Sequence, residues 1–161
     1  MKNTPKTVVL GSVILMILVL GMAPIKGFVT PEVEEVPLEE QIEETIYKMN
    51  FKFPHIVLAQ AKLESSNFNS TIFKENNNLF GMKQARTRPT TATGTQRSHA
   101  VYNSWKDSII DYALYSQTYL SGKTESEYYA YLSRNYAEDP AYVEKLKRLV
   151  EKENLVYRFK R

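Results

Sequence analysis

The residue in this chain best equipped to do chemistry is Glu64. The stretch Leu58-Ala59-Gln60-Ala61-Lys62-Leu63-Glu64-Ser65-Ser66 closes an apolar, helix-forming run on one carboxylate followed at once by small polar residues. With Ile56 and Val57 ahead of it, that helix is apolar nearly all round and belongs inside a protein. A Glu at the end of such a helix sits where water gives out. Its charged form is disfavoured, its pKa rises, and it holds a proton near neutral pH as a general acid does. A solvated helix-end Glu is the alternative reading of the same residue.

Competing chemistries lack parts. The sequence has no Cys, which removes a thiol nucleophile, a disulfide framework and any thiolate metal site. Only His55 and His99 are available as histidines, too few for most triads and His-based metal sites. Gly81 and Gly94 stand alone, so no Gly-rich phosphate loop is present. Neither a cofactor nor a metal is expected.

The elements that must position Glu64 follow from periodicity. Leu38 to Asn50 carries Leu38, Ile42, Ile46 and Met49 at helical spacing opposite a Glu-rich face, predicting an amphipathic first helix. Pro54 suits the first turn of the helix that ends at Glu64. From Ser65 to Arg97 the periodicity gives way to Asn, Thr, Lys and Gly, and Arg88 to Tyr102 predicts a small hairpin around Gly94. Ser104 and Asp107 form a capping-box pattern opening a helix with Trp105, Ile109, Tyr112, Ala113 and Leu120 on one side. A helix from about Ser126 to Arg134 follows. Asp139-Pro140 then serve as cap and first turn of a last helix that buries Tyr142, Val143, Leu146, Leu149 and Val150.

The 161 residues suffice for one domain with one core. Lys2 and Lys6 precede an uncharged apolar run from Val8 to Ala23, which reads as a membrane-inserting signal anchor or a signal peptide. Gly21-Met22-Ala23 resembles a cleavage site, yet Pro24 would follow the scissile bond, so an uncleaved anchor with the domain outside is the preferred reading. The expected organisation is an anchor or signal over 1–27, an acidic linker over 28–37, a domain over 38–153 and a basic tail over 154–161. Seven Glu residues between Glu32 and Glu44 leave eleven acidic against eighteen basic residues from Tyr47 onward, a domain of about +7 behind an acidic leader. Such a domain favours polyanionic surroundings, such as an envelope with anionic polymers. The basic residues are dispersed and carry no recognition motif, so a nucleic-acid partner is not expected.

Four segments in order then resemble a known family. They are Ala59-Gln60-Ala61-Lys62-Leu63-Glu64-Ser65, Ile72 to Lys83 with its Asn-Asn-Asn-Leu-Phe-Gly-Met-Lys block, Tyr102 to Ser108, and Tyr136 to Tyr142. Together they are similar to the bacterial glucosaminidases, the endo-β-N-acetylglucosaminidase (mannosyl-glycoprotein endo-β-N-acetylglucosaminidase-like) group of glycoside hydrolase family 73. The resemblance implies an α+β, mostly helical, lysozyme-like fold with a small β-hairpin lobe. It also implies hydrolysis of the β-1,4 bond after N-acetylglucosamine in the glycan strand of peptidoglycan, by a monomer at the bacterial cell envelope, either held by its N-terminal helix or secreted. By the same resemblance Glu64 falls on the general acid and Tyr136 on the Tyr that lines the reaction centre. Asn77, Asn78, Phe80 and Gly81 fall on the turn that shapes the substrate-binding floor. Their chemistry is compatible: amides bond acetamido groups, a ring stacks on a sugar face, and Gly lets backbone approach closely. Plain turn chemistry for the Asn run and a core role for Tyr136 are the alternatives.

The second catalytic group is the departure from the family. Glycosidases usually need two carboxylates, and Asn76 to Trp105 contains no Asp or Glu. Either Glu75 or Asp111 activates water, or the substrate's own acetamido group attacks, and the latter is slightly preferred. Two rivals share the Glu64-Ser65 pair or the basic surface: a lytic transglycosylase on the same glycan and a non-catalytic, membrane-tethered wall-binding module.

Overall fold

A computed structural model describes residues 35–160, and the predicted N-terminal anchor and most of the acidic linker lie outside them. Among the described residues no helix is long and apolar enough to cross a membrane. The elements are α1 (Leu38–Lys48), α2 (Pro54–Glu64), α3 (Thr71–Asn76), β1 (Gly94–Gln96), β2 (His99–Val101), α4 (Trp105–Tyr119), α5 (Glu125–Asn135), α6 (Tyr142–Lys152) and α7 (Leu155–Arg158).

Helix α2 is the centre of the helical part, packed against α1, α6 and α7. Ile56, Val57, Leu58, Ala59 and Ala61 are all buried, as a helix apolar nearly all round requires. Gln60 and Lys62, its two buried polar members, are each matched. The Lys62 ammonium donates to Glu39 at 2.8 Å and to Glu153, while the Gln60 amide bonds two tyrosine hydroxyls. Of the stripe predicted on α1, Ile42 and Ile46 are fully buried, whereas Leu38 and Met49 at its two ends are exposed.

The capping box predicted at Ser104 is present, and a second one, not anticipated from the sequence, opens α5. The Ser104 and Asp107 side chains bond each other's backbone N–H at the start of α4, and Thr124 and Glu127 do the same for α5. Three expectations need correction. Helix α6 begins at Tyr142 behind Ala141, so Asp139 and Pro140 lie ahead of it, and the Asp139 carboxylate accepts from the Ala141 N–H in that turn. The hairpin reverses at Arg97 and Ser98, with φ of +51° and +61°, rather than around Gly94, which opens β1 opposite Val101. Two successive left-handed residues give a two-residue turn whose twist suits antiparallel strands. The basic tail from Asn154 also folds. Helix α7 packs on α2 and α6, Leu155 is fully buried, and Arg158 bonds Glu39 at 2.9 Å and Glu43 at 2.8 Å.

Candidate active site

Helix α2 stops at Glu64 for a local reason. Ser65 is buried, its hydroxyl accepts from the Phe68 N–H at 2.8 Å, and Ser66, Asn67 and Phe68 all take positive φ, which no helix can continue. The carboxylate is thereby left at the wall of an open cleft of about 570 Å³, lined among others by Gly81, Lys83, Arg88, Tyr115, Tyr119 and Tyr136. Burial pushes the Glu64 carboxyl above its ordinary range, against the opposing pull of a hydrogen bond from Tyr142 and the charge of His99.

That hydrogen bond has a fixed direction. Tyr112 donates its hydroxyl to Gln60 Oε1, so the Gln60 amide nitrogen is turned to donate to the Tyr142 hydroxyl oxygen at 3.2 Å. The Tyr142 proton is then free to point at Glu64. A buried chain runs from Tyr128 through Tyr112, Gln60 and Tyr142 to the acid, with Tyr112 and Tyr128 oxygens 2.8 Å apart. In sequence, Gln60 and Tyr142 stand out only by position: one faces inward from an apolar helix, the other opens α6.

The Phe80-Gly81 turn closes the other side. Gly81 has φ +62°, and a β-carbon built there would lie 3.2 Å from Glu64 Oε2. Only Gly adopts that conformation without strain while leaving the carboxylate uncovered. Tyr136 is half-buried, lines the cleft and donates its hydroxyl to the Phe80 carbonyl at 2.7 Å, holding the turn against the end of α5. Its ring also meets Tyr142 and Tyr115, at centroid separations of 5.9 and 5.7 Å. Glu64, Gly81 and Tyr136 are thus brought together.

The remaining predicted residues sit elsewhere. Asn77 and Asn78 do not offer their amide nitrogens to the cleft. Asn77 donates to the Tyr102 carbonyl at 3.0 Å, and buried Asn78 donates to the Met82 and Ala100 carbonyls at 2.9 and 3.0 Å. The Asn78 oxygen accepts from the N–H groups of Phe80 and Met82, both at 3.2 Å. These asparagines tie the turn to the hairpin. Phe80 is buried too, stacked on Tyr112 at 4.3 Å rather than open to a sugar face.

Neither proposed second carboxylate lines the cleft. Glu75 is exposed and accepts from Arg97 Nε at 2.7 Å. Asp111 is fully buried and accepts from Arg88 at 2.7 and 3.2 Å and from the Tyr102 hydroxyl at 2.7 Å. Burial alone would raise the Asp111 carboxyl, but hydrogen bonds from Arg88, Tyr102 and Thr90 together with the guanidinium charge bring it below its ordinary range. Sequence reasoning passed over Glu138, the one carboxylate besides Glu64 among the described residues of the cleft wall. Its position two residues after Tyr136 is the signal that could have found it.

A glucosaminidase family model, described as mannosyl-glycoprotein endo-beta-N-acetylglucosaminidase, matches residues 41–155. Among solved structures the chain is similar to the catalytic domain of the autolysin Auto from Listeria monocytogenes, at 26% identity and a TM-score of 0.53, covering 78% of this chain and 90% of that one. No curated protein matches significantly. The helical body with its two-stranded antiparallel sheet is consistent with the lysozyme-like fold that the sequence suggested. Since the family match runs from within α1 to the first residue of α7 and so spans well over half of the chain, the protein belongs to the glucosaminidase family.

Proposed function

We propose that this domain hydrolyses the β-1,4 bond after N-acetylglucosamine in the glycan strand of peptidoglycan, with Glu64 as general acid. The observation that carries the reading is Glu64 itself: a carboxyl whose proton affinity is raised by burial, on the wall of an open cleft, with Gly81 leaving its Oε2 uncovered. Glu64 gives its proton to the leaving glycosidic oxygen. The acetamido oxygen of the substrate attacks the anomeric carbon as that bond breaks, and water later opens the resulting ring while the Glu64 carboxylate takes its proton. Substrate assistance is favoured because Glu75 and Asp111 are engaged with Arg97 and Arg88. Tyr136 acts by holding the Phe80-Gly81 turn against the acid.

A second mechanism rests on Glu138, which lines the same cleft and is exposed, as a base activating water for direct displacement. The anomeric configuration of the first-formed product separates the two, retention meaning substrate assistance and inversion meaning Glu138.

Zymography with product analysis tests the function. Wild type clears peptidoglycan and releases reducing N-acetylglucosamine ends, and Glu64→Gln loses about 10²- to 10⁴-fold of that activity. Anhydro-muramic ends would make it a lytic transglycosylase, and clearing by neither protein would make it a wall-binding module. Action outside the cytoplasm, with the Val8–Ala23 run as an uncleaved anchor, belongs to the same proposal. N-terminal sequencing of the mature protein that begins after Ala23 would replace the anchor by secretion.

A further inference from the structure

The charged groups of the cleft wall do not balance. Arg88 is neutralised by Asp111, whereas Lys83 and Arg134 are exposed and have no carboxylate partner among the described residues. Besides the acid Glu64, only Glu138 opposes them on that wall. Arg134 is also oriented: its Nε donates to the Ala130 carbonyl one turn back at 3.1 Å, which fixes the plane of the guanidinium and leaves both terminal nitrogens unbonded. Lys83 follows two residues after Gly81, so its ammonium stands on the segment that faces the acid. The same wall carries Tyr119, 37% exposed, a ring suited to the face of a sugar.

Cations alone would accept any polyanion, and an exposed ring alone would accept any sugar. We infer that Lys83 and Arg134 are specificity-determining residues that read carboxylates carried by the glycan, so that the cleft selects acidic strands over neutral N-acetylglucosamine polymers. The inference rests on the proposed glycan substrate and names which of its groups are recognised. Planar guanidinium matches a carboxylate in two-point fashion, and an ammonium adds a mobile second charge.

The test compares carboxylate-bearing glycan strands with the same strands after their carboxylates are converted to methylamides. Affinity is measured by calorimetry on Glu64→Gln protein, so that no turnover intervenes, and KM and kcat are measured on the active enzyme. Amidation is expected to weaken binding, and Lys83→Gln and Arg134→Gln each to weaken acidic-strand binding about three- to tenfold, through KM more than kcat. Most of that effect should vanish on amidated strands, and Arg134→Lys should recover part of it. Lys74→Gln, an exposed lysine on α3 outside the cleft, controls for the general basic charge of the domain.

Equal affinity for acidic and amidated strands overturns the inference, as does an equal loss in Lys74→Gln. Polyphosphate competing as well as the acidic glycan also overturns it, in favour of a general polyanion surface. Carboxylate-dependent binding without any cleavage would instead sink the hydrolase reading and leave this one standing, and binding to neither strand would sink this one.

Discussion

Gly81 faces Glu64 so closely that a β-carbon on the glycine would stand 3.2 Å from the acid's Oε2. The backbone there has φ +62°, so an alanine would meet strain and crowding together. Gly81→Ala should cost about 1–2 kcal/mol from conformation alone and lower kcat/KM further by covering the oxygen that must reach substrate. A thermal melt and a dye-release assay check both halves, and wild-type values in each would remove Gly81 from the site.

Burial and the Tyr142 bond act on Glu64 with opposite sign, which sets two pH effects. A carboxyl whose pKa is higher in the folded than in the unfolded chain adds stability below its unfolded value, near 4.5, and loses that contribution as pH rises through the folded value. Relative to Glu64→Gln, wild type should therefore weaken progressively above about pH 4.5 and run parallel to it below. Tyr142→Phe removes a donor to the carboxylate, so the alkaline limb of activity should move to higher pH. Denaturant titrations across pH and a pH–rate profile measure these, and an unmoved limb would show that the Gln60-to-Tyr142 chain does not reach the acid.

The Arg88–Asp111 pair predicts a stability effect of the opposite pH sign. Asp111 has its carboxyl held below the usual range, so its contribution is present at neutral pH and is lost as pH falls through that lowered value. Asp111→Asn leaves the Arg88 guanidinium, itself almost wholly buried, without its counter-charge and should cost about 3–5 kcal/mol. Were Asp111 the base that activates water, the variant would keep its denaturation midpoint and lose only turnover.

Asn78 makes four hydrogen bonds to backbone through one buried side chain. Asn78→Ala is expected to cost about 2–3 kcal/mol, since the Phe80 and Met82 N–H groups lose their partner and the Met82 and Ala100 carbonyls lose one of theirs. The loss should appear in urea unfolding, and amide exchange should rise at Phe80, Met82 and Ala100 before it rises in α2. A variant that binds glycan more weakly with unaltered stability would instead make Asn78 a sugar ligand.

Much of this was legible in the chain because it depends on neighbours in sequence. The apolar surround of α2, the capping box at Ser104, the Pro at the start of α2 and the helical stripes of α4 and α6 all follow from spacing along one element. The hairpin existed where strand-forming residues gathered, but its reversal at Arg97 and Ser98 did not, because neither residue type announces a left-handed conformation. Helix α7 was read as a tail for a related reason: Arg158 gains its worth from Glu39 and Glu43, more than a hundred residues away.

By itself the sequence determined that a carboxylate ends a dry helix, because burial of an apolar run is a one-dimensional property, and that no thiol or phosphate loop competes with it. Tertiary structure decided what surrounds that carboxylate. Whether an Asn amide meets a sugar or a backbone carbonyl, whether Asp111 is a base or a counter-ion, and whether Gln60 turns Tyr142 toward Glu64 all depend on groups brought together by folding. Partners drawn from α2, α4, α6 and the Gly81 turn carry no signature of one another along the chain, since hydrogen-bond geometry is set by distance in space.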